Sequence, residues 1–99
     1  MGLLEFNIIK DKMEYINPKL LEIIGYNRDE IKDVHVYSRM IPQKQLFKII
    51  NSSEERYLEF YIINKKGDIK WLAGKRINLY NDQGEVESIR LWVQDITER

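Results

Sequence analysis

The spacing of apolar residues changes twice along this chain, and this change limits its possible folds more than any other feature. Near the N-terminus, Leu4, Phe6 and Ile8 alternate with polar residues, which is the period of a half-buried strand. From 17 to 53 the apolar residues recur at helical spacing, and from 56 to 95 they alternate again. Strands and helices are therefore segregated along the sequence, which predicts an α+β fold with an antiparallel sheet.

The helical segment, 17–53, carries start and stop signals. Asn17 can accept a backbone amide of a first helical turn, and the proline after it has no amide to lose. Gly25 ends this helix, because glycine adopts the left-handed conformation that is common just past a helix end. Asn27 and Glu30 have the spacing of a capping box and predict a second, short helix.

The remaining elements follow from the same periods. Residues 34–42 are predicted to be irregular or to form a single turn. A third helix is predicted from 43 to 50, with four apolar side chains on its buried side: Leu46, Phe47, Ile49 and Ile50. The strands on either side of the helical segment are predicted to form an N-terminal hairpin over 3–16 and a three-strand meander over 56–95.

Composition excludes several classes of function. The chain has 99 residues, the size of one domain, with 16 basic and 16 acidic side chains and no net charge. Without a basic face there is no electrostatic argument for nucleic acid or an anionic membrane surface as a partner. Cysteine is absent, which excludes disulfides, thiolate metal sites, cysteine nucleophiles and a cysteinyl-flavin adduct.

Neither a membrane-spanning segment nor a catalytic motif is recognisable. No apolar stretch approaches the ~20 residues that span a bilayer, and the N-terminus has no signal-peptide core. We therefore expect a cytoplasmic module without direct membrane insertion. The single histidine excludes a two-histidine metal motif, and there is no glycine-rich phosphate loop, so we expect neither a catalytic residue nor a metal site.

Five short motifs, in order and at compatible spacing over residues 3–99, resemble those of the PAS domain family. They lie at 15–18, 25–31, 41–42, 66–71 and 95–99. The last of them, Asp-Ile-Thr-Glu-Arg, matches the C-terminal signature of the family in full. By these motifs the chain is identified as a member of the family, a single PAS domain over 1–99 whose last residues, 95–99, lead into a following helix.

The resemblance implies a five-stranded antiparallel sheet in the order 2-1-5-4-3, with short helices packed on one face. It also implies a sensory or regulatory module, itself non-catalytic, in a signal-transduction protein such as a histidine kinase, a diguanylate cyclase or a transcription regulator. Its partners would be a C-terminal effector domain in the same chain, a small-molecule ligand and a second copy of the domain. Two alternatives stay open: a ligand-free dimerisation or spacer domain, and a flavin or haem redox sensor.

The resemblance also implies a ligand pocket between the helices and the sheet. By alternation and by resemblance, its inward candidates are Phe47, Ile50, Phe60, Ile62 and Leu72, with Gln94 as a polar contact. The alternative is that the same residues fill the space as plain core. The segment between 42 and 67 is a few residues shorter than is common in the family, which argues against a roomy cavity.

The identity of a cofactor is open. His35 is expected in a solvated loop rather than on the third helix, where the haem ligand of PAS relatives usually lies, so haem is not expected. A flavin could stack beside Trp92 and bond to Gln94, which share one face of the last strand, or Trp92 could simply pack. A visible absorption spectrum of the protein from its native host separates these cases.

The C-terminal motif predicts how the chain leaves the domain. Asp95 can cap the first turn of a following helix, with Glu98 as its capping-box partner. We expect Asp95, Thr97 and Glu98 to form the junction that passes a conformational change to the effector. An ordinary strand end without a signalling role is the alternative.

The outer face of the sheet is the predicted dimer interface. A sheet with helices on one face should be polar on the other, with clean alternation. The last two strands instead carry large apolar groups on both sides, which indicates that the second face is covered. The candidates for this cover are a flanking helix, the N-terminal segment and a second copy of the domain. Of these we expect a homodimer through this face, with Ile69, Trp71 and Trp92 in the contact.

Overall fold

The chain folds as a five-stranded antiparallel sheet with short helices on one face. The computed structural model describes residues 1–32, 34–52 and 56–98, and of Val34 and Ile50 it describes only the backbone. The elements, in chain order, are β1 (Gly2–Asn7), β2 (Lys12–Ile16), α1 (Pro18–Ile24), α2 (Val34–Met40), α3 (Gln43–Ile50), β3 (Tyr57–Ile63), β4 (Ile69–Tyr80) and β5 (Val86–Asp95), with a 3-10 turn at Glu30–Lys32.

The strand order is β2-β1-β5-β4-β3, which confirms the predicted sheet. The register between β4 and β5 is the longest, from Leu72 opposite Asp95 to Tyr80 opposite Val86. β1 pairs with the other side of β5, so the last strand of the domain lies in the middle of the sheet. The residues at its end are therefore held by neighbours on both sides.

Polar caps and a glycine form the ends of the first helices as predicted. The Leu20 amide donates to Asn17 Oδ1 at 3.0 Å, and Gly25 ends α1 with a φ of 77°. Asn27 and Glu30 form the predicted capping box around the 3-10 turn. The Glu30 amide donates to Asn27 Oδ1 at 2.8 Å, and the Asn27 amide donates to Glu30 Oε1 at 3.1 Å.

The prediction for 34–42 is wrong, because this segment contains α2 rather than irregular chain or a single turn. Val36 and Met40 lie one turn apart on α2, and both are buried in the core. A helix of seven residues is marginal in isolation, so this packing stabilises it rather than a local signal. His35, predicted in a solvated loop, lies exposed on α2.

The core lies between the inner face of the sheet and the helices. It is built from apolar side chains of the helices and of β2, β3, β4 and β5. Leu4 of β1 is partly buried and packs against the edge of this core. Over 91–94 of β5 the alternation is clean, because Leu91 and Val93 are buried while Trp92 and Gln94 are exposed. The buried members are Ile16, Leu20, Ile23, Ile24, Ile31, Val36, Met40, Ile49, Leu58, Phe60, Ile62, Leu72, Leu91 and Val93.

The third helix, α3, has its predicted limits but buries a different face. Ile49 is 4% exposed, whereas Leu46 is 40% and Phe47 is 52% exposed. One turn before Ile49, the Gln45 side chain accepts the Tyr61 backbone amide at 3.0 Å, so a polar contact joins the helix to β3. Phe47 lies about 200° around the helix from Ile49 and cannot share its buried face. The prediction that Leu46 and Phe47 are buried is wrong.

Candidate functional site

An apolar cavity lies between the sheet and the helices, where the ligand pocket is predicted. Its volume is about 50 Å³, and three of the predicted lining residues, Phe60, Ile62 and Leu72, form part of its wall. All three are buried. A cavity of about 150 Å³ in another protein takes benzene, so this one has room only for water-sized occupants. In this conformation the three side chains pack as core.

Two of the predicted lining residues lie elsewhere. Phe47 is on the solvent side of α3. Gln94 is exposed on the outer face of the sheet together with Trp92. Side chains alternate along β5, so Val93, which lies between them, points inwards. The predicted place of Phe47 and Gln94 in the pocket is therefore wrong. The side chain of Ile50 lies outside the described residues.

A second and larger cavity lies next to the first, between the β1–β2 turn and α2. Its volume is about 200 Å³. Tyr37 borders both cavities, and its ring meets the Phe6 ring edge-on, with the two centroids 6.2 Å apart. The lining residues of this second cavity are Phe6, Asp11, Lys12, Met13, Lys32 and Tyr37.

The sequence reasoning missed this second cavity because 34–42 was not predicted as a helix. A signal for it was present. Val36, Tyr37, Met40 and Ile41 have the spacing of one apolar helical face, and Tyr37 is its only member with a polar tip. A helix at this position brings Tyr37 onto the β1–β2 hairpin.

The Tyr37 hydroxyl is an unusual group between the two cavities. It is buried and has no hydrogen-bond partner among the described residues. Burial, together with the negative charge of Asp11, raises the pKa of Tyr37 to about 12. The hydroxyl therefore stays protonated at neutral pH and can donate to an acceptor. Leaving such a group unpaired typically costs about 1–3 kcal/mol.

The segment after β5 is hydrogen-bonded back to β4. The Ile96 amide donates to the Trp71 carbonyl at 2.8 Å, and the Trp71 amide donates to Thr97 Oγ1 at 3.1 Å. Thr97 in turn donates its amide, at 2.9 Å, and its hydroxyl to the Asp95 carboxylate. Two of the three predicted junction residues, Asp95 and Thr97, are thus hydrogen-bonded to each other, and Thr97 binds the backbone of Trp71.

The Asp95 carboxyl is held in its ionised form. Partial burial opposes ionisation, but the hydrogen bonds from the Thr97 hydroxyl and amide outweigh it and lower the pKa of Asp95 below its ordinary value. A carboxylate that accepts the amide two residues ahead has the geometry of an Asx turn and of a helix N-cap. Glu98 is exposed and makes no hydrogen bond to Asp95 in the described part of the chain, so the predicted capping-box partner is not seen. Arg99 lies outside the described residues.

The outer face of the sheet carries exposed aromatic side chains. Trp71 packs against Tyr61 of β3, with the two ring centroids 5.2 Å apart. Near the centre of the face, Arg90 Nη2 forms an ion pair with Glu5 Oε1 at 2.6 Å. The three predicted dimer-face residues are exposed here: Ile69 at 53%, Trp71 at 40% and Trp92 at 38%.

Two kinds of site are not seen in the described ranges. There, no three His, Cys, Asp or Glu side chains are placed so that they could hold a metal ion. In the same ranges, no helix combines the length and the apolar character needed to cross a membrane. Charged side chains pair with one another instead, as Lys65 Nζ does with Glu30 Oε2 at 2.7 Å.

A sequence profile of the PAS domain matches residues 4–98, almost the whole chain. The chain belongs to the PAS domain family. The five motifs that first suggested this family, the sheet order and the profile match agree for this PAS domain. No curated protein sequence matches it significantly.

Solved structures of other proteins share the fold of this PAS domain. The N-terminal domain of a diguanylate cyclase with PAS/PAC sensor from Marinobacter aquaeolei has a TM-score of 0.77 at 22% identity, over 98% of this chain and 95% of that one. A PAS domain from Colwellia psychrerythraea has a TM-score of 0.78 at 13% identity, over 99% and 87% of the two chains. A sensory box histidine kinase/response regulator from Burkholderia thailandensis has a TM-score of 0.73 at 22% identity, over 99% and 78%. At such identities the likeness establishes the fold alone.

Proposed function

We propose that this PAS domain is the sensory module of a multidomain signalling protein, and that it relays a conformational change to a C-terminal effector domain. The observation that carries the proposal is the hydrogen-bonded cluster of Trp71, Asp95 and Thr97, which ties the exit of the chain to β4. The similar folds in a diguanylate cyclase and in a sensory histidine kinase support such a role.

Strand β4 links this cluster to the inner face of the sheet. Leu72 follows Trp71 directly, borders the apolar cavity between the sheet and the helices, and lies opposite Asp95. A displacement of Leu72 therefore also moves the backbone of Trp71, whose amide and carbonyl bind Thr97 and Ile96. A change in the packing of the core can therefore reach the exit segment through two adjacent residues, Leu72 and Trp71.

Replacing Thr97 by Val in the full-length protein tests the relay. The valine side chain keeps the shape but can neither accept the Trp71 amide nor donate to Asp95, so that only the backbone amide of residue 97 still donates to the Asp95 carboxylate. We expect the ratio of effector activity between the two signalling states to fall towards one, while the domain remains folded by circular dichroism. Thr97→Ser is the matched control, because it keeps the hydroxyl and should keep the regulation.

Asp95→Ala tests the same junction through stability. We expect a loss of about 0.5–2 kcal/mol in the free energy of unfolding, measured by urea denaturation, because the cap on the Thr97 amide is removed. Regulation should be lost as well. If Asp95→Ala and Thr97→Val keep both stability and regulated output, the junction is an ordinary strand end.

A ligand-free dimerisation or spacer domain is the second candidate. The exposure of Ile69, Trp71 and Trp92 on one sheet face favours it. A domain of this kind would tolerate Thr97→Val but lose effector output when the outer face is made polar. Mass spectrometry of small molecules released on denaturing the protein from its host separates the two candidates, because only a ligand sensor should release one.

Two further expectations stay predictions. Haem is not expected, and the contacts suggested for a flavin at Trp92 and Gln94 would lie on the outer face, where both side chains are exposed. A cytoplasmic location rests on the sequence alone.

A further inference from the structure

Tyr37 of α2 and Met13 of β2 form the wall between the two cavities. Both side chains line the apolar cavity in the core and also the larger cavity beside the β1–β2 turn. The Tyr37 hydroxyl oxygen is buried, so the apolar part of this side chain, and not its hydroxyl, borders the two spaces. The cavities are therefore neighbours, and the wall between them is made of side chains that can change rotamer.

The position of the Tyr37 ring is held by packing and opposed by its hydroxyl. The ring meets Phe6 edge-on at 6.2 Å between centroids, and it packs against the buried core. The hydroxyl, however, has no hydrogen-bond partner among the described residues. An edge-on aromatic pair and an unpaired buried hydroxyl contribute free energies of the same order and of opposite sign. A ring turned towards solvent would lose the first contribution and recover the second.

The ring has a place to turn into. A tyrosine on a helix has two accessible χ1 wells, so its ring moves between two discrete positions. The cavity beside the β1–β2 turn borders the ring and has a volume of about 200 Å³. The rim of this cavity is exposed at Asp11, Lys12 and Lys32, so a hydroxyl that enters it reaches water.

The outward movement would enlarge the cavity in the core. This cavity is now about 50 Å³, and the ring would leave beside it a space of the size of one aromatic ring. Apart from Tyr37, every residue that lines the core cavity is apolar. A charged molecule would lose its hydration there without finding a partner. The enlarged cavity therefore suits an uncharged, apolar molecule of about one ring.

We propose that Tyr37 is a gate with two positions. With its ring inwards, as in this structure, the core cavity has room only for water-sized occupants. With its ring outwards, the cavity admits one uncharged, ring-sized apolar molecule through the space beside the β1–β2 turn. The proposal rests on the proposed sensory function, for which it supplies the entry route and the class of ligand. Such an occupant would contact Leu72, where the proposed relay begins.

Titration of the 99-residue chain with benzene, followed by methyl chemical shifts, tests the gate. Tyr37→Ala removes the ring and leaves the gate open, so benzene should bind at least roughly tenfold more tightly than to wild type. Tyr37→Phe removes a hydroxyl that is unpaired only in the inward position. It therefore stabilises the closed gate, and benzene should bind about tenfold more weakly. If the hydroxyl had no part in opening, the more apolar phenylalanine would not weaken the binding of benzene.

Two controls and the positions of the shifts locate the bound molecule. The methyl groups of Ile62 and Leu72, in the wall of the core cavity, should shift with benzene. Benzoate has the same ring with a carboxylate and should leave these methyl groups unchanged. Tyr15→Phe is the matched variant, because Tyr15 is an exposed tyrosine that lines neither cavity, and it should keep the wild-type affinity.

The gate requires that affinity for benzene falls in the order Tyr37→Ala, wild type, Tyr37→Phe. Equal affinity of wild type and Tyr37→Phe would overturn the proposal, as would shifts confined to Met13 and the β1–β2 turn or no shifts in wild type at saturating benzene. If Tyr37→Ala is unfolded by circular dichroism, the comparison of wild type with Tyr37→Phe decides alone. Failure of the relay is a separate result, because it appears as unchanged regulation of the effector in Thr97→Val, whatever the order of benzene affinities.

Discussion

The Asn17 side chain makes three hydrogen bonds that join separate parts of this PAS domain. Its Oδ1 accepts the Leu20 amide at the start of α1 and also the Leu3 amide in β1, each at 3.0 Å. Its Nδ2 donates to the Met1 carbonyl at 2.9 Å. The helix cap that the sequence predicts is therefore also a link between α1 and the central region of the sheet. A local signal acquires a second, long-range role only in the folded chain.

Glu30 gives a prediction for the pH dependence of stability. Its carboxylate binds the Lys65 ammonium at 2.7 Å and accepts the Asn27 amide, and these contacts lower the pKa of Glu30 below its ordinary value. A lowered folded pKa means that the contribution to stability is present above the unfolded pKa of about 4.3 and is lost as the pH falls through the folded value.

Urea denaturation of wild type and Glu30→Gln between neutral pH and about pH 3 checks this. We expect wild type to be the more stable at neutral pH and the difference to vanish at the acid end. Lys65→Met is the control background, in which Glu30→Gln should cost less at neutral pH. A difference that does not depend on pH would contradict the role of the Glu30 carboxylate.

At the scale of elements, the strands support the helices. The β4–β5 ladder is the longest pairing, and α1, α2 and α3 have only seven or eight residues each. Helices this short are marginal in water, so their stability comes from packing on the sheet. Damage to the β4–β5 ladder should therefore unfold the helices as well.

Gly74, at the centre of β4, is where this ladder is most sensitive. It lies opposite Val93, and a Cβ at this position would be 1.7 Å from the Trp92 carbonyl oxygen. The clash is with backbone, so β5 would have to move. We expect Gly74→Ala to lower the free energy of unfolding by about 3 kcal/mol, measured by chemical denaturation.

Gly84→Ala is the matched control for Gly74→Ala. Gly84 has a φ of 79° but nothing lies within 4 Å of an added Cβ, so only the backbone conformation is penalised. That penalty is about 1–2 kcal/mol. If the two alanine variants were equally stable, close approach of β5 would not be the reason for glycine at 74.

At the scale of the whole molecule, the two faces of the sheet differ in what covers them. The helices cover the inner face, while the outer face leaves Ile69, Trp71 and Trp92 exposed. Large exposed apolar patches on a soluble domain usually mark an interaction site. A second copy related by a twofold axis would bury the same patch on both partners.

Sedimentation of the domain at micromolar concentration tests this self-association. We expect a dimer that becomes a monomer when Trp71 and Trp92 are replaced by Gln. Phe47→Ser is the control, because Phe47 is an aromatic residue on the helical side that is even more exposed than the two tryptophans, and its loss should leave the dimer unchanged. If the wild-type domain sediments as a monomer and the tryptophan substitutions change nothing, self-association through the outer face is contradicted.

Local signals and strand alternation are enough to predict several features of this domain. The caps at Asn17 and Asn27 and the glycine at 25 are confirmed, because each acts within one turn of its own position. Alternation also placed Trp71 and Trp92 on the outer face. Followed consistently, it excludes Gln94 from the pocket, since Gln94 and Trp92 share a side.

Other features depend on contacts between elements that are distant in sequence, and these could not be predicted from local patterns. α2 forms because Val36 and Met40 pack in the core. α3 turns Ile49 rather than Phe47 inwards, and its Gln45 side chain accepts the Tyr61 amide of β3. The second cavity lies between a turn near the N-terminus and a helix about 25 residues later in the sequence. A pattern of apolar residues within one element cannot predict a contact across that separation. Short helices have little stability of their own, so the sheet decides which of their faces is buried.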